Sequence, residues 1–176
     1  MARRLIPWAA SAAWYAAYFE AIRGGFAAWP RFDLRDAART LIGGGPDLRV
    51  LSIPLVGGAD ILKQENPWPF ISGHGKWRRE HLGAWNASYG RTPFFPHLMP
   101  EIEEIYNSIP DGSPLEEFNR AFHRLAIHWL EPAASAPLDS DAAGLCRELS
   151  TKVNSQVSIF EVLFRFGKEA GFAIRH

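Results

Sequence analysis

The chain has 176 residues, of which 47% are hydrophobic, enough for one hydrophobic core but too few for two domains. Nineteen Lys and Arg residues balance nineteen Asp and Glu residues, which argues against nucleic acid or an anionic membrane surface as the partner and favours a small, mostly neutral one. A single cysteine, Cys146, excludes an internal disulfide and a cysteine-based zinc site. We therefore expect residues 1–176 to form a single domain that needs no metal or other cofactor.

The N-terminal segment admits two interpretations. Arg3 and Arg4 precede an apolar run, a pattern that resembles a secretory signal peptide. Pro7 and Ser11 interrupt that run, however, and the aromatic residues that follow recur at helical spacing, which favours a core helix. No uncharged stretch reaches the roughly 20 apolar residues that span a bilayer. We expect a soluble, cytoplasmic protein.

The first predicted helix covers residues 11–23. Its apolar side chains fall on one stripe, Ser11 is a suitable N-cap, and Gly24 ends it. Residues 26–29 fit a strand or a turn equally well. The alternating charges between residues 31 and 41 are typical of a solvated stretch.

A strand with turn signals on both sides follows. The glycine run at residues 43–45 lacks the spacing and the lysine of a phosphate-binding loop, and it predicts a hairpin or a loop. Residues 48–56 alternate and are rich in aliphatic side chains, which makes them the strongest strand signal of the chain. Residues 57–75 are loop-like, and long loops often carry function.

Four further helices are predicted in the rest of the chain. They cover residues 76–89, 97–107, 115–130 and a last stretch from residue 159 to Gly167 or Gly171. Capping boxes that begin at Ser113 and Ser158 mark the starts of the last two. Residues 132–141 predict a surface connection. The sum is an α+β domain, mostly helical, around a small β-sheet.

The helix at residues 76–89 carries the main candidate site. A helical wheel places His81 and Arg78 on the same face as Trp77 and Tyr89, so both polar groups need partners inside an aromatic environment. In a structural interpretation, His81 donates to a backbone carbonyl and Arg78 pairs with a buried carboxylate. In a functional interpretation, the face lines a pocket where His81 is a general acid or base and Arg78 binds an anionic group.

Two further residues are candidates for substrate contact. His74 lies between two glycines just before that helix, so we expect it on an exposed loop from which it can act with His81. Asn119 lies at the edge of the apolar stripe of the helix at residues 115–130; it either holds a neighbouring loop or contacts substrate. The histidine spacings match no short metal-ligand motif, and Cys146 has the context of an ordinary thiol.

Several segments resemble the WbqC-like family in order and spacing. They are residues 51–55, 77–82, 89–95, 115–130 with Asn119, and the closing 157–164. Family members often carry an Arg-Asn-Arg stretch before the strand; this chain has Ala37-Ala38-Arg39 there, so only Arg39 is carried over. Ala10 and Ala13 stand where an earlier Tyr and Pro are expected.

The resemblance implies a role in bacterial surface-polysaccharide (O-antigen) biosynthesis. The first hypothesis is a small transferase that moves an acyl or aminoacyl group to an amino sugar. His81 deprotonates the acceptor, while Arg78 and Arg39 hold an anionic donor or a nucleotide-sugar phosphate, and an acyl carrier is a further candidate partner. The alternative is a noncatalytic ligand-binding or scaffold domain, in which Trp77 and Tyr89 surround the ligand, and which represents a divergent, inactive relative.

Overall fold

The computed structural model describes residues 4–25, 28–131 and 157–168. Within them, five α-helices and one two-stranded antiparallel sheet form the α+β, mostly helical architecture that the sequence predicts. The helices are α1 (Ala12–Arg23), α2 (Trp77–Tyr89), α3 (Phe95–Ser108), α4 (Leu115–Leu130) and α5 (Ile159–Phe166), and the strands are β1 (Arg39–Ile42) and β2 (Arg49–Ser52). Short 3-10 helices occupy Leu34–Ala37, Gly45–Asp47 and Ala59–Lys63, the last within the predicted long loop.

The glycine run forms the tip of a β-hairpin, one of the two alternatives predicted for it. β1 pairs with β2 in register from Arg39 opposite Ser52 to Ile42 opposite Arg49. Gly43 turns the chain with a φ of 80°, a region that favours glycine. β2 is shorter than the predicted strand at residues 48–56. Pro54 has no backbone N–H for the ladder, and Leu55 and Val56 pair with Ile71 and Phe70 instead of with β1.

The helix at the N-terminal end forms as predicted. The Ser11 hydroxyl accepts a hydrogen bond from the Trp14 backbone N–H at 3.3 Å, and Gly24 follows the last helical residue. Trp14, Tyr15 and Phe19 are buried. Ile22 was expected on the same stripe but is 45% exposed.

Of the two serines predicted to cap helices, one does so and the other does not. α4 begins at Leu115 with Pro114 in the N-cap position and no side-chain cap, so the box predicted from Ser113 is wrong. The Ser158 hydroxyl does cap α5 by accepting from the Phe160 N–H at 3.3 Å. The Ser158 N–H donates to the Leu41 carbonyl at 2.9 Å, so that donor is satisfied by β1. The predicted connection at residues 132–141 and Cys146 lie outside the described residues.

Aromatic side chains from several helices make up the centre of the core. Phe118 and Phe122 of α4 are fully buried, and the Trp85 ring of α2 stacks on Phe122 with centroids 6.4 Å apart. The N-terminal segment enters this core through Trp8, whose ring lies 6.0 Å from Phe118 and 5.8 Å from Phe122. None of the helices in the described ranges has the length and apolar character to cross a membrane.

Candidate functional site

A pocket of about 740 Å³ lies beside the N-terminal segment, and we call it the N-terminal pocket. Its walls are residues 7–11, part of α1, the stretch between Pro30 and Asp36, and part of the β-hairpin. Pockets of roughly 300–1,000 Å³ are typical of small-molecule sites. The volume therefore suits a ligand rather than a single water or ion.

Hydrogen bonds between its walls hold the shape of the pocket. The Trp8 backbone N–H donates to the Asp36 carbonyl at 2.9 Å, and the Thr40 hydroxyl donates to the Ala9 carbonyl at 3.1 Å. Ala9 has a φ of 43°, the left-handed region that non-glycine residues rarely adopt. The turn at residues 8–9 is thus bonded both to the stretch before β1 and to the β-hairpin.

Asn119 stabilises the same region from the side of the core. Its side-chain amide donates to the Ile6 and Ala37 carbonyls, both at 2.8 Å, and the residue is fully buried. It therefore joins the N-terminal segment to the stretch that precedes β1. This is the loop-holding geometry that the sequence offered as one alternative, and Asn119 does not itself line the N-terminal pocket.

Five charged side chains line the pocket, three arginines and two aspartates. Arg35 binds Asp33 with a shortest N–O distance of 2.6 Å, and this guanidinium lowers the pKa of the Asp33 carboxyl to about 2. Arg39 binds Asp36 at 3.1 Å. Arg31 has no ion pair or hydrogen bond within the described residues. The predicted anion-binding residue Arg39 thus lies in the pocket wall.

Apolar side chains also line the pocket. Trp14 is buried, and its ring stacks on Tyr18 with centroids 5.6 Å apart. Phe32 is half-buried and packs against the core. Ala10 and Ala13, which stand where a Tyr and a Pro were expected, both line the pocket. Their small side chains leave the space that those larger residues would occupy.

His81 lies in a closed hydrogen-bond chain. A carbonyl can only accept, so His81 Nε2 donates to the Ser52 carbonyl at 3.0 Å, and Nδ1 accepts from the Tyr106 hydroxyl at 3.0 Å. The Tyr106 oxygen in turn accepts from Trp85 Nε1 at 3.1 Å. His81 is 5% exposed, and burial lowers its pKa to about 4. The ring is therefore neutral at pH 7, with both nitrogens occupied.

Trp8 connects His81 to the N-terminal pocket. Its ring stacks on the His81 ring with centroids 5.3 Å apart and planes 15° apart, and the same residue lines the pocket. His81 itself is not part of the pocket wall. The indole of Trp8 thus covers the histidine on the side of the N-terminal segment.

Arg78 makes its contacts away from the pocket. Its guanidinium donates to the Tyr106 carbonyl and to the Asp111 carboxylate, the latter through Nη2 at 3.0 Å, and it stacks over the Trp77 ring at 4.4 Å. The structural interpretation expected a buried carboxylate, but the Asp111 side chain is 49% exposed. Arg78 links α2 to the end of α3 and the turn after it.

The other predicted site residues are also separate from the pocket. The Tyr89 hydroxyl accepts from the Gly43 N–H at 2.8 Å, and its ring stacks on Phe164. Trp77 is buried with its ring against His81. His74 lies on an exposed loop, as expected. Of the seven site residues predicted from the sequence, Arg39 is the one that the structure brings to the pocket wall.

Sequence reasoning missed most of the pocket. Trp8 was part of an apolar run, and Arg31 and Phe32 fell at the start of the stretch interpreted as solvated. One signal was available: arginines recur every fourth residue at positions 31, 35 and 39, with Phe32 directly after the first and Trp29 two residues before it. Within the described part of the chain, no group of His, Cys, Asp and Glu side chains is arranged to hold a metal ion.

The fold and the pocket define a small α+β protein with a ligand-sized cavity between its N-terminal segment and a β-hairpin. A family model described as the WbqC-like protein family matches residues 38–154, about two thirds of the sequence, and the chain belongs to that family. A search of curated proteins and a search of solved structures each returned no match. The matched region contains the hairpin and α2 to α4, but it begins after most of the pocket wall.

Proposed function

We propose that this chain binds a small molecule of bacterial surface-polysaccharide biosynthesis in the N-terminal pocket. The connection to polysaccharide comes from the family resemblance, and the binding role comes from the pocket. The observation that carries the proposal is the contrast between an accessible cavity with Arg39 in its wall and a buried His81 whose two nitrogens are occupied. A ligand-binding domain is the function that this geometry supports best.

The hydroxyl groups of the pocket wall also favour binding over catalysis. A general base or nucleophile must come within hydrogen-bond reach of the reacting group. The Ser11 oxygen accepts from the Trp14 N–H in the first turn of α1, and the Thr40 hydroxyl donates to the Ala9 carbonyl. Both hydroxyls therefore hold parts of the pocket wall in place, and the arginines supply the charge with which the pocket can recognise a ligand.

Binding is tested by thermal shift and calorimetry with a panel of nucleotide sugars, amino sugars, amino acids and acyl carriers. At least one compound is expected to raise the melting temperature. Arg39 uses Nε for Asp36, and its Nη atoms make no hydrogen bond within the described residues, so they can contact the ligand. Arg39→Gln should weaken the binding of that compound about tenfold, the effect of losing one charge-assisted contact of about 1.4 kcal/mol. Arg79→Gln is the matched control, because Arg79 is exposed on α2 outside the pocket wall. The proposal would be overturned if none of these compounds bound.

One contact favours a second candidate, the acyl or aminoacyl transferase. Trp8 stacks on His81 and also lines the pocket, so a bound acceptor amine would reach the imidazole only after this indole moves. The Tyr106 hydroxyl would have to turn away from His81 Nδ1, which could then accept the amine proton as the new C–N amide bond forms and the C–S bond of the acyl-carrier thioester breaks. The imidazolium would return that proton to the departing thiolate. Mass spectrometry of an amino sugar incubated with acyl carrier tests this. Transfer by the unaltered protein, lost in a folded His81→Gln variant, would establish it over simple binding.

A further inference from the structure

The N-terminal pocket has more positively than negatively charged side chains in its wall. Three guanidinium groups face two carboxylates in its wall, a difference of one positive charge. Asp33 is bound by Arg35 and Asp36 by Arg39. Arg31 is the guanidinium of the pocket wall left without a carboxylate among the described residues, so the excess charge is localised at one known position.

The backbone around Arg31 holds it beside the cavity. Pro30, Arg31, Phe32 and Asp33 line the pocket consecutively. Proline fixes its own φ, and Phe32 packs against the hydrophobic core on the following position. The Arg31 side chain is exposed, so an anion can reach it without breaking an existing contact. A planar guanidinium fork binds two oxygens of a carboxylate or a phosphate at once.

The rest of the wall suits a sugar ring. Phe32 and Pro30 supply apolar surface beside Arg31. Asp36 is bonded to Arg39 through Oδ1, and Oδ2 makes no hydrogen bond within the described residues. An ionised carboxylate has several acceptor positions, and sugar hydroxyls are donors that can use them. Apolar ring surface next to acceptors and one cation matches an acidic sugar better than a fatty chain or a neutral amino acid.

We infer that Arg31 binds the charged group of the ligand in the N-terminal pocket and that the ligand is a sugar bearing one carboxylate or phosphate group. This inference rests on the proposed function and specifies its ligand class. Glucuronic acid and glucose 1-phosphate share the required chemistry and differ in the oxyanion. Glucose keeps the ring and lacks the charge.

The test measures Kd for these three probes with the full chain, by ligand-observed NMR and calorimetry. At least one acidic probe is expected to bind at least tenfold more tightly than glucose. Arg31→Gln should remove that difference, and Arg31→Lys should restore part of it by returning charge without the fork. Arg79→Gln should leave Kd within twofold of the unaltered protein. Raising the salt concentration should weaken the binding of the acidic probe and leave the binding of glucose unchanged.

Three results overturn the inference: equal binding of glucose and the acidic sugars, an unchanged Kd for Arg31→Gln, or no binding of either acidic probe. The ligand panel separates this failure from failure of the proposed function. If a panel compound binds and depends on Arg39 but not on Arg31, the binding role stands and the assignment of Arg31 falls. If no panel compound and no acidic sugar binds, both fall.

Discussion

The Tyr106 hydroxyl donates a hydrogen bond to His81 Nδ1 across 3.0 Å, and this contact joins α3 to α2 inside the core. The same oxygen accepts from Trp85, and the other His81 nitrogen donates to the carbonyl of Ser52 in β2. One histidine thereby ties two helices to the hairpin. Buried polar groups with every partner in place stabilise one specific arrangement of the core.

Tyr106→Phe should destabilise the fold. It leaves His81 Nδ1 and Trp85 Nε1 buried without partners, at about 1–3 kcal/mol each, so we expect the free energy of unfolding to fall by about 3 kcal/mol. Urea denaturation measures this. Tyr18→Phe is the control, because Tyr18 is only half-buried and water can replace a partner lost there. Equal stability of the Tyr106→Phe variant and the unaltered protein would contradict the hydrogen-bond chain.

Stability should depend on pH through His81. Its pKa is about 4 in the fold, lowered by burial, against 6.5 for an unperturbed histidine. Between these values the unfolded chain binds a proton that the folded state does not, so stability falls as pH drops from about 6.5 to about 4. The loss from this group is about 3 kcal/mol. Unfolding free energies at several pH values check the slope, which should be shallower in His81→Gln; an unchanged slope would count against a buried neutral ring.

Arg78→Gln separates a structural role from anion binding. Loss of the contacts to the Tyr106 carbonyl and Asp111 should lower the free energy of unfolding by about 1 kcal/mol, since the pair is partly exposed. This corresponds to about 2–4 °C in Tm. Binding of any ligand to the N-terminal pocket should not change. A variant of normal stability with lost binding would instead support the anion-binding role predicted from the sequence.

Substitution by alanine should have opposite effects on stability at Gly43 and at Gly83. At Gly43 an added Cβ would lie 2.5 Å from the Asp47 carbonyl oxygen, and φ is 80°, so Gly43→Ala should destabilise the hairpin by about 2 kcal/mol. Gly83 lies in the middle of α2, where an added Cβ meets nothing within 4 Å. Gly83→Ala should stabilise the protein by about 0.5–1 kcal/mol. Thermal unfolding of both variants measures the difference, and a stabilising Gly43→Ala would refute the hairpin geometry.

The sequence alone determined the main helices and the family. α4 covers Leu115–Leu130 as predicted, and α2 begins one residue later than predicted. Helices can be predicted this closely because apolar periodicity and chain-breaking residues are local features of the sequence. The helical wheel also identified the inward face of α2 correctly, with Trp77, His81 and Tyr89 all buried. β1 was missed, since its four residues become a strand only by pairing with β2.

Only the tertiary structure decided where a ligand has room. A helical wheel shows that His81 points inward, but it does not show whether packed side chains or a cavity face it. That depended on Trp8, Ser52 and Tyr106, which approach from three other parts of the chain. The N-terminal pocket likewise forms where the N-terminal segment, the stretch before β1 and the hairpin meet. Such a cavity depends on how distant segments of the chain pack together, and no local sequence pattern predicts it.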